Sequence, residues 1–291
     1  MKRLLMKRLV LAFAMLWVAT NMLATKYALI IGVGKYAPNT GWSATSAIND
    51  VKLLKPSLEK AGFVVTTLVN SQATHEGITI ALNRLIRKVK AGDQVYLHFS
   101  GHGQQLKNPR SNEPDKLDEA MVPYDAGLYY SKTNYGQKHL RDKELNLYIT
   151  RLRTKLKKNG MLLVALDACH SGDATRGNSG PDKDEPDFVG NTRGSTHVLD
   201  GGTRLPQFTT MVSKTGSSPY IALGACKDYE TNKDYRSKGG KHYGSLSFLI
   251  WQELEQKGKS INLKTLPYDV IKKKHQTMSH RQHPDIKKEG M

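Results

Sequence analysis

The stretch that decides the fold is Met161-Leu162-Leu163-Val164-Ala165-Leu166-Asp167-Ala168-Cys169-His170-Ser171-Gly172. Its first six residues are apolar, and they predict a strand that is buried on both faces, as in a parallel sheet. The polar residues that follow then lie at the carboxyl end of that strand, where open α/β sheets place their ligands. A cysteine at this position is either a small packed hydrophobe or a nucleophile, and the rest of the chain has to decide between them.

A second buried strand ends in a histidine. The segment Gln94–Ser100 runs directly into Gly101-His102-Gly103. Because the carboxyl ends of parallel strands lie at one edge of a sheet, we expect His102 and Cys169 to face each other across a crevice. A thiolate can attack a carbonyl carbon while an imidazole accepts the thiol proton and later protonates the leaving amine. The backbone N–H groups of Gly103 and Cys169 would then form an oxyanion hole.

Each of these residues also permits a purely structural interpretation. Cys169 could be core filler and His102 a loop histidine, but their joint placement at two strand ends favours catalysis. His170 is a competing base, although adjacent side chains on an extended strand point to opposite faces. A metal site built from these three residues lacks the usual ligand spacing, so we assign no metal ligand.

Segments typical of strands and of helices alternate along the chain. Thr74 to Lys90 places apolar residues at steps of three and four, which predicts an amphipathic helix. Ser43 to Ala61 predicts a helix with a break or kink near Pro56. This alternation predicts an α/β fold in which helices sandwich a mostly parallel sheet. Two polar segments interrupt it: a long connection over 105–141 and an exposed linker over 173–218, which contains scattered arginines and lysines.

Residues 1–24 are typical of a secretory signal peptide, with four basic residues before a short apolar segment and small residues near Ala24. The apolar segment is about half the ~20 residues that a spanning helix needs. We therefore expect an exported protein that is periplasmic, surface-bound or secreted, with a retained amphipathic anchor as the alternative. Of the two cysteines, Cys169 and Cys226, we expect the first to remain a thiol, because a domain of this size can build its own core without a disulfide.

The net charge of +18 favours acidic partners or anionic surfaces but says nothing about the fold. The basic residues are scattered along the chain rather than gathered in one segment. They therefore predict a solvated basic surface in preference to a dedicated nucleic-acid site.

Several motifs together carry a resemblance to a known family. They are His98-Phe99-Ser100-Gly101-His102-Gly103, Asp118-Glu119-Ala120-Met121-Val122-Pro123 and the Asp167–Gly172 stretch, supported by Ala47-Ile48-Asn49-Asp50 and Gly224-Ala225-Cys226-Lys227. In this order they resemble the metacaspases, which are caspase-like cysteine peptidases. The resemblance implies a caspase-like three-layer α/β sandwich with a mostly parallel six-stranded sheet. It also implies a large-subunit portion over 25–172 and a small-subunit-like portion of the same domain over 219–291.

The resemblance assigns roles to individual residues. His102 matches the catalytic histidine and Cys169 the nucleophile. Asp50 and Asp167 match two carboxylates of an acidic pocket for the residue that precedes the cleaved bond. Such a pocket pairs with a guanidinium or an ammonium group, so the resemblance implies a cysteine endopeptidase that cuts proteins after Arg or Lys. An enzyme of this kind could also cut its own linker at the basic residues of 173–218.

Cofactors and partners follow from the same resemblance. Metacaspases often bind calcium through acidic residues, and Asp118 and Glu119 fall near part of that cluster. We expect no required cofactor, calcium as a secondary possibility, and a monomer. The alternatives are a catalytically silent caspase-like scaffold and a basic protein that binds anionic partners. The presence of both His102 and Cys169 argues against the first, and the lack of aromatics clustered among basic residues argues against the second.

Overall fold

A computed structural model of the chain describes residues 24–111, 113–169, 188–195, 197–208, 213–226, 232–278 and 284–290. Nearly all of the expected signal peptide, the competing base His170 and the first part of the expected linker lie outside these residues. The helices are α1 (Ala47–Lys60), α2 (His75–Lys88), α3 (Asp142–Leu156), α4 (Ser245–Lys257) and α5 (Tyr268–Met278). The strands are β1 (Lys26–Gly32), β2 (Phe63–Val69), β3 (Gln94–Ser100), β4 (Gly103–Lys107), β5 (Leu117–Met121), β6 (Leu140–Arg141), β7 (Met161–Asp167), β8 (Phe188–Thr192), β9 (Leu199–Asp200), β10 (Tyr220–Gly224), β11 (Lys233–Arg236), β12 (His242–Gly244) and β13 (Asp285–Glu289).

The centre of the molecule is a six-stranded sheet in the order β13-β10-β7-β3-β1-β2. Neighbouring strands run parallel except at the edge, where β13 runs antiparallel to β10. Every residue of β3 is buried, and so is every residue of β7 except Leu166. The α/β fold with a mostly parallel six-stranded sheet is therefore confirmed.

Helices cover both faces of this sheet. Because successive strand residues point to opposite faces, Ala28 and Ile30 of β1 pack in one core with residues of α1, α4 and α5. Leu29 and Ile31 pack in a second core with residues of α2 and α3. The result is the three-layer sandwich that the resemblance implied.

Two of the helices show how local sequence sets their bounds. The Thr74 hydroxyl accepts a hydrogen bond from the N–H of Gly77, so that α2 begins directly after this cap. Of the break or kink expected near Pro56, the break is wrong, because α1 continues through the proline. Pro56 and Lys52 are both exposed, so the carbonyl that a proline N–H cannot reach is open to water. Within the described part of the chain, no helix has the length and apolar character needed to span a bilayer.

Two smaller sheets include parts of the two polar segments that the sequence indicates only as a long connection and an exposed linker. Residues 105–141 contribute to a sheet with the order β6-β5-β4-β9, and β8 joins β11 and β12 in another. The described part of the expected exposed linker is partly buried, since Arg193, Leu199 and Leu205 are almost inaccessible to solvent. Composition gave the wrong expectation here, because an arginine is predicted to be exposed unless its acidic partners are known. Those partners are distant in the sequence.

Candidate active site

His102 and Cys169 extend from matched positions at the carboxyl edge of the sheet. In the parallel pairing of β3 with β7, Ser100 lies opposite Asp167. The chain continues for two residues beyond the end of each strand, from β3 to His102 and from β7 to Cys169. Both side chains are buried, and no disulfide joins Cys169 to Cys226. The register of the sheet thus brings together the two residues that the sequence singled out.

The hydrogen bonds of His102 determine which ring nitrogen carries a proton. Its Nε2 lies 3.0 Å from the carbonyl oxygen of Ser43, and because a carbonyl can only accept, Nε2 is the protonated nitrogen. Its Nδ1 is buried and has no hydrogen-bond partner among the described residues. Burial lowers the pKa of His102 to about 4, so the ring is neutral near neutral pH. Nδ1 is therefore the nitrogen that can accept a proton.

A loop between β1 and α1 holds the histidine ring in place. The Trp42 ring stacks on His102 with the centroids 4.7 Å apart, and the Tyr36 hydroxyl accepts a hydrogen bond from the backbone N–H of His102 at 2.7 Å. Sequence reasoning missed Tyr36, Trp42 and Ser43. The signal that could have found them is a pair of aromatic residues in an otherwise small and polar loop.

A segment of the chain itself occupies the space in front of Cys169. Strand β8 pairs antiparallel with β11, and Arg193 follows β8 directly. The carbonyl oxygen of Arg193 accepts hydrogen bonds from the N–H groups of Gly103 at 3.2 Å and Cys169 at 2.9 Å. The N–H of Arg193 donates to the carbonyl oxygen of Asn232 at 2.7 Å. The two N–H groups expected to form an oxyanion hole therefore converge on one peptide carbonyl.

The guanidinium of Arg193 is completely buried among three carboxylates. Its nitrogens lie 2.9 Å from an oxygen of Asp50, 2.7 Å from one of Asp234 and 3.6 Å from one of Asp167. Two hydroxyl oxygens, those of Ser46 and Ser100, also accept hydrogen bonds from it, each at 2.7 Å. The planar fork of donors that distinguishes arginine from lysine is thus fully used.

The two expected pocket carboxylates differ in acidity. Burial raises the pKa of Asp50 to about 6, and the nearby Asp167 carboxylate adds to the rise while Arg193 opposes it. Burial acts in the same direction on Asp167, but Arg193 and several hydrogen bonds outweigh burial and leave the pKa of Asp167 below its usual value. Asp167 is therefore the more firmly ionised of the pair.

Besides Arg193, hydrogen-bond donors from α4 and from Asn232 lower the pKa of Asp167. It accepts hydrogen bonds from the N–H of Ser247 at 2.7 Å, from the Ser247 hydroxyl at 2.6 Å and from the amide of Asn232 at 2.9 Å. Ser247 lies in the first turn of α4, where unpaired N–H groups favour an anion. The Ser247 hydroxyl is 3.1 Å from Nε2 of His98, whose Nδ1 is 2.8 Å from the Tyr96 hydroxyl. Because Ser247 donates to Asp167, each donor in this buried chain points toward the carboxylate.

Gly244 makes room for the arginine. Its N–H donates to Asp50 at 2.8 Å. A Cβ at Gly244 would lie 2.7 Å from a guanidinium nitrogen of Arg193 and closer still to the carboxylate of Asp167. Sequence reasoning missed Gly244, Asp234 and Asn232, because they lie on or beside short polar strands without a recognisable pattern.

A second acidic cluster lies away from the pocket. Carboxylate oxygens of Glu113, Glu119 and Asp142 all lie within 4.8 Å of one another. One oxygen of Asp142 is buried without a hydrogen-bond partner among the described residues, and burial raises the pKa of Asp142 to about 6. Such an oxygen-only donor set suits a hard cation such as Ca²⁺, so the residues present fit the calcium that the resemblance suggested. Asp118 is not part of this cluster, because it is fully buried and bonded to Arg141 and Lys143.

Two comparisons with known proteins agree on the family. Residues 25–287 match the family described as Caspase domain (Peptidase_C14). Metacaspase-1 of Mycosarcoma maydis is 26% identical over 272 residues, which cover 81% of this chain and 64% of that protein. Metacaspase-2 of Arabidopsis thaliana is 27% identical over 245 residues, which cover 79% of this chain and 52% of that protein. The chain thus spans only about half to two thirds of the length of these relatives.

A solved structure extends the comparison to the fold. The crystal structure of protein GSU0716 from Geobacter sulfurreducens superposes with a TM-score of 0.63 at 20% identity, covering 91% of this chain and 93% of that one. At this level of identity the likeness supports the architecture alone. The family match over residues 25–287, together with the metacaspase relatives, shows that the chain belongs to the caspase-domain peptidase family.

Proposed function

We propose that this chain is a cysteine endopeptidase that cleaves peptide bonds after arginine or lysine, with Cys169 as the nucleophile and His102 as general base and acid. One observation carries the proposal. The side chain of Arg193 fills a buried acidic pocket while its carbonyl oxygen accepts hydrogen bonds from the N–H groups of Gly103 and Cys169. A substrate with a basic residue before the cleaved bond needs the same two sets of contacts.

In the proposed reaction, Nδ1 of His102 takes the proton of the Cys169 thiol and the thiolate attacks the carbonyl carbon. The N–H groups of Gly103 and Cys169 stabilise the negative charge on the carbonyl oxygen. The C–N bond breaks, His102 gives its proton to the leaving amine, and a thioester remains on Cys169. Water then adds its hydroxyl to the thioester carbon, its proton returns to the sulfur through His102, and a carboxylic acid leaves. The Ser43 carbonyl holds the ring and stabilises the imidazolium that forms.

The pocket favours arginine over lysine and disfavours aspartate. Arginine presents five donors in a fixed fork, and the fork of Arg193 reaches Asp50, Asp234 and the two serine hydroxyls together. A lysine ammonium is a single point charge that satisfies fewer of these acceptors. An aspartate at the same position would meet three carboxylates without a counter-charge.

The same contacts make Arg193–Gly194 the bond at which the chain would cut itself. Arg193 already has its carbonyl at the two N–H groups and its side chain in the pocket. In the intact chain it blocks the pocket, so cleavage would be required before another substrate could bind. The sequence predicted self-cleavage at the basic residues of 173–218 in general. We now propose that it occurs at the single bond between Arg193 and Gly194.

Peptide hydrolysis tests the proposed function. The chain purified without residues 1–24 and its Cys169→Ala variant are incubated with fluorogenic peptides that end in Arg, Lys or Asp, after mass spectrometry has located any internal cut. We expect release after Arg, slower release after Lys, none after Asp, and none from the variant. Cleavage after Asp would keep the peptidase but remove the roles of Asp50 and Asp167. If no peptide is cleaved, even after limited proteolysis of the linker, the alternative of a catalytically silent scaffold would be favoured.

We also propose that Glu113, Glu119 and Asp142 hold a calcium ion. A bound cation would supply positive charge that offsets the mutual repulsion of these carboxylates. It would thereby fix the start of α3 against β5, which carries Glu119. The Nζ of Lys143 lies 3.1 Å from Glu113. A bound ion would therefore compete with this ammonium group for the Glu113 carboxylate.

Export and a monomeric state complete the proposal. Export rests on the signal-like pattern of residues 1–24. The monomer is supported by the edge strand β13, where Lys287, Lys288 and Glu289 are exposed, because charged side chains on an edge strand discourage pairing with another chain. Light scattering after size exclusion should give the mass of one chain, and a concentration-dependent dimer would contradict the monomer.

A further inference from the structure

Gly194, the first residue after the proposed cleavage site, lies directly against the backbone of Cys169. A Cβ added to Gly194 would lie 3.0 Å from the carbonyl carbon of Cys169, 3.1 Å from its Cβ and closer still to its carbonyl oxygen. These are backbone and near-backbone atoms just beyond the buried strand β7, so they cannot move aside as the end of a flexible side chain could. The space beside residue 194 is closed to a side chain.

This constraint is steric and not conformational. The φ angle of Gly194 is not positive. The sign of φ therefore does not by itself require glycine at this position. What excludes other residues is therefore the distance to Cys169.

The segment around the bond cannot shift to make that room. On one side, the carbonyl oxygen of Arg193 is bonded to the N–H groups of Gly103 and Cys169. On the other, Gly194 forms a parallel bridge with Gly103, and β9 continues the parallel pairing with β4 at Leu106 and Leu199. Moving residue 194 away from Cys169 would pull the carbonyl out of the position where the negative charge is stabilised.

We infer that this enzyme selects glycine immediately after the cleaved bond, so that its substrate class is polypeptides with an Arg-Gly or Lys-Gly sequence. The inference rests on the proposed function and narrows its substrates. The bond broken is the C–N bond to the glycine nitrogen, which receives the proton from His102, and water supplies the hydroxyl that ends the cycle. Selection acts only while the glycine is attached, that is, in formation of the thioester. Substrates with the same residues before the bond share one thioester and must lose it at the same rate.

Matched peptides test this selection. Internally quenched peptides carry Asn-Thr-Arg-Gly-Ser, the sequence of 191–195, with the glycine kept or replaced by alanine or valine, and an aminocoumarin amide carries Asn-Thr-Arg alone. We expect kcat/KM to fall about tenfold or more for alanine and further for valine, in line with the usual effect of overpacking. Equal cleavage of the glycine and alanine peptides would overturn the inference and leave the proposed function standing. Failure to cleave any of them, the aminocoumarin amide included, would overturn both.

The full chain offers an independent test with a matched control. Gly239 also lacks a positive φ, and a Cβ there would meet nothing nearer than 3.9 Å. We expect mass spectrometry to find a cut after Arg193 in the wild type and in Gly239→Ala, and at least a tenfold slower cut in Gly194→Ala. Thermal unfolding checks that both variants fold, and the peptide experiment does not depend on either. A cut in Gly194→Ala at the wild-type rate would contradict the inference.

Discussion

The pocket around Arg193 and the cluster of Glu113, Glu119 and Asp142 each gather three carboxyl groups, but they compensate the charge in different ways. The pocket is fully buried and closes on a guanidinium of the same chain. The other cluster is partly exposed, and one oxygen of Asp142 has no hydrogen-bond partner among the described residues. A buried cluster cannot rely on water, so its counter-charge has to be built in or brought by a substrate, whereas a partly exposed one can exchange water for an ion.

The largest expected effect is on the stability of the pocket. Replacing Arg193 by methionine in a Cys169→Ala background keeps most of the side-chain volume but leaves three buried carboxyl groups without their cation. We expect the free energy of unfolding near neutral pH to fall by about 3–5 kcal/mol, the usual cost of breaking a buried ion pair. Urea unfolding measures it, with Arg204→Met as the control at an exposed arginine. An equal loss in both variants would show that the pocket does not depend on its cation.

The next effect is on catalysis. Asp167→Asn removes the more firmly ionised carboxylate while keeping its shape, and we expect kcat/KM for arginine peptides to fall about 100-fold, as expected for loss of a charged partner in a buried site. Glu119→Gln is the corresponding change in the other cluster. It should alter kcat/KM for the same peptides by less than about threefold at saturating calcium. If Glu119→Gln had the larger effect, the roles assigned to the two clusters would be reversed.

A smaller effect concerns pH. The pKa of Asp50 is raised by burial to about 6, so the folded chain binds a proton there more readily than the unfolded chain does. The cost of ionising Asp50 is therefore present above pH 6 and is relieved as the pH falls, by about 1 kcal/mol between about pH 7 and about pH 5.5. Denaturant unfolding of Cys169→Ala with and without Asp50→Asn at both pH values isolates this contribution. A difference between the two variants that does not change with pH would contradict it.

The smallest effect separates the clusters by their response to calcium. Calcium at about twice its dissociation constant should stabilise the protein by about 0.6 kcal/mol, which raises the unfolding temperature of a chain of this size by about 1–2 °C. Asp142→Asn should abolish the shift and Asp50→Asn should keep it. The same shift in both variants would place the ion elsewhere.

The sequence predicted the central sheet because its inner strands β1, β3 and β7 are largely buried on both faces and rich in apolar residues. His102 and Cys169 were recognisable because each follows such a run, and Asp50 and Asp167 because they fall within family motifs. From the sequence alone, Arg193 is predicted to be one of several exposed basic residues of a linker. Its partners Asp50 and Asp234 are respectively 143 and 41 positions away in the sequence, and no local pattern records such pairings. The small sheets were missed for a similar reason, since β4 and β5 are short and largely polar.

The tether between Arg193 and the rest of the chain has a kinetic consequence. A bond that is delivered to the nucleophile by its own chain is cut in a first-order step, so the half-life of the intact form would be the same in a dense suspension and in extreme dilution. Cutting in trans would instead slow in proportion to concentration. If the protein is exported as proposed and then diluted by diffusion, self-cutting at Arg193–Gly194 would proceed at a rate set by the chain itself and independent of its concentration.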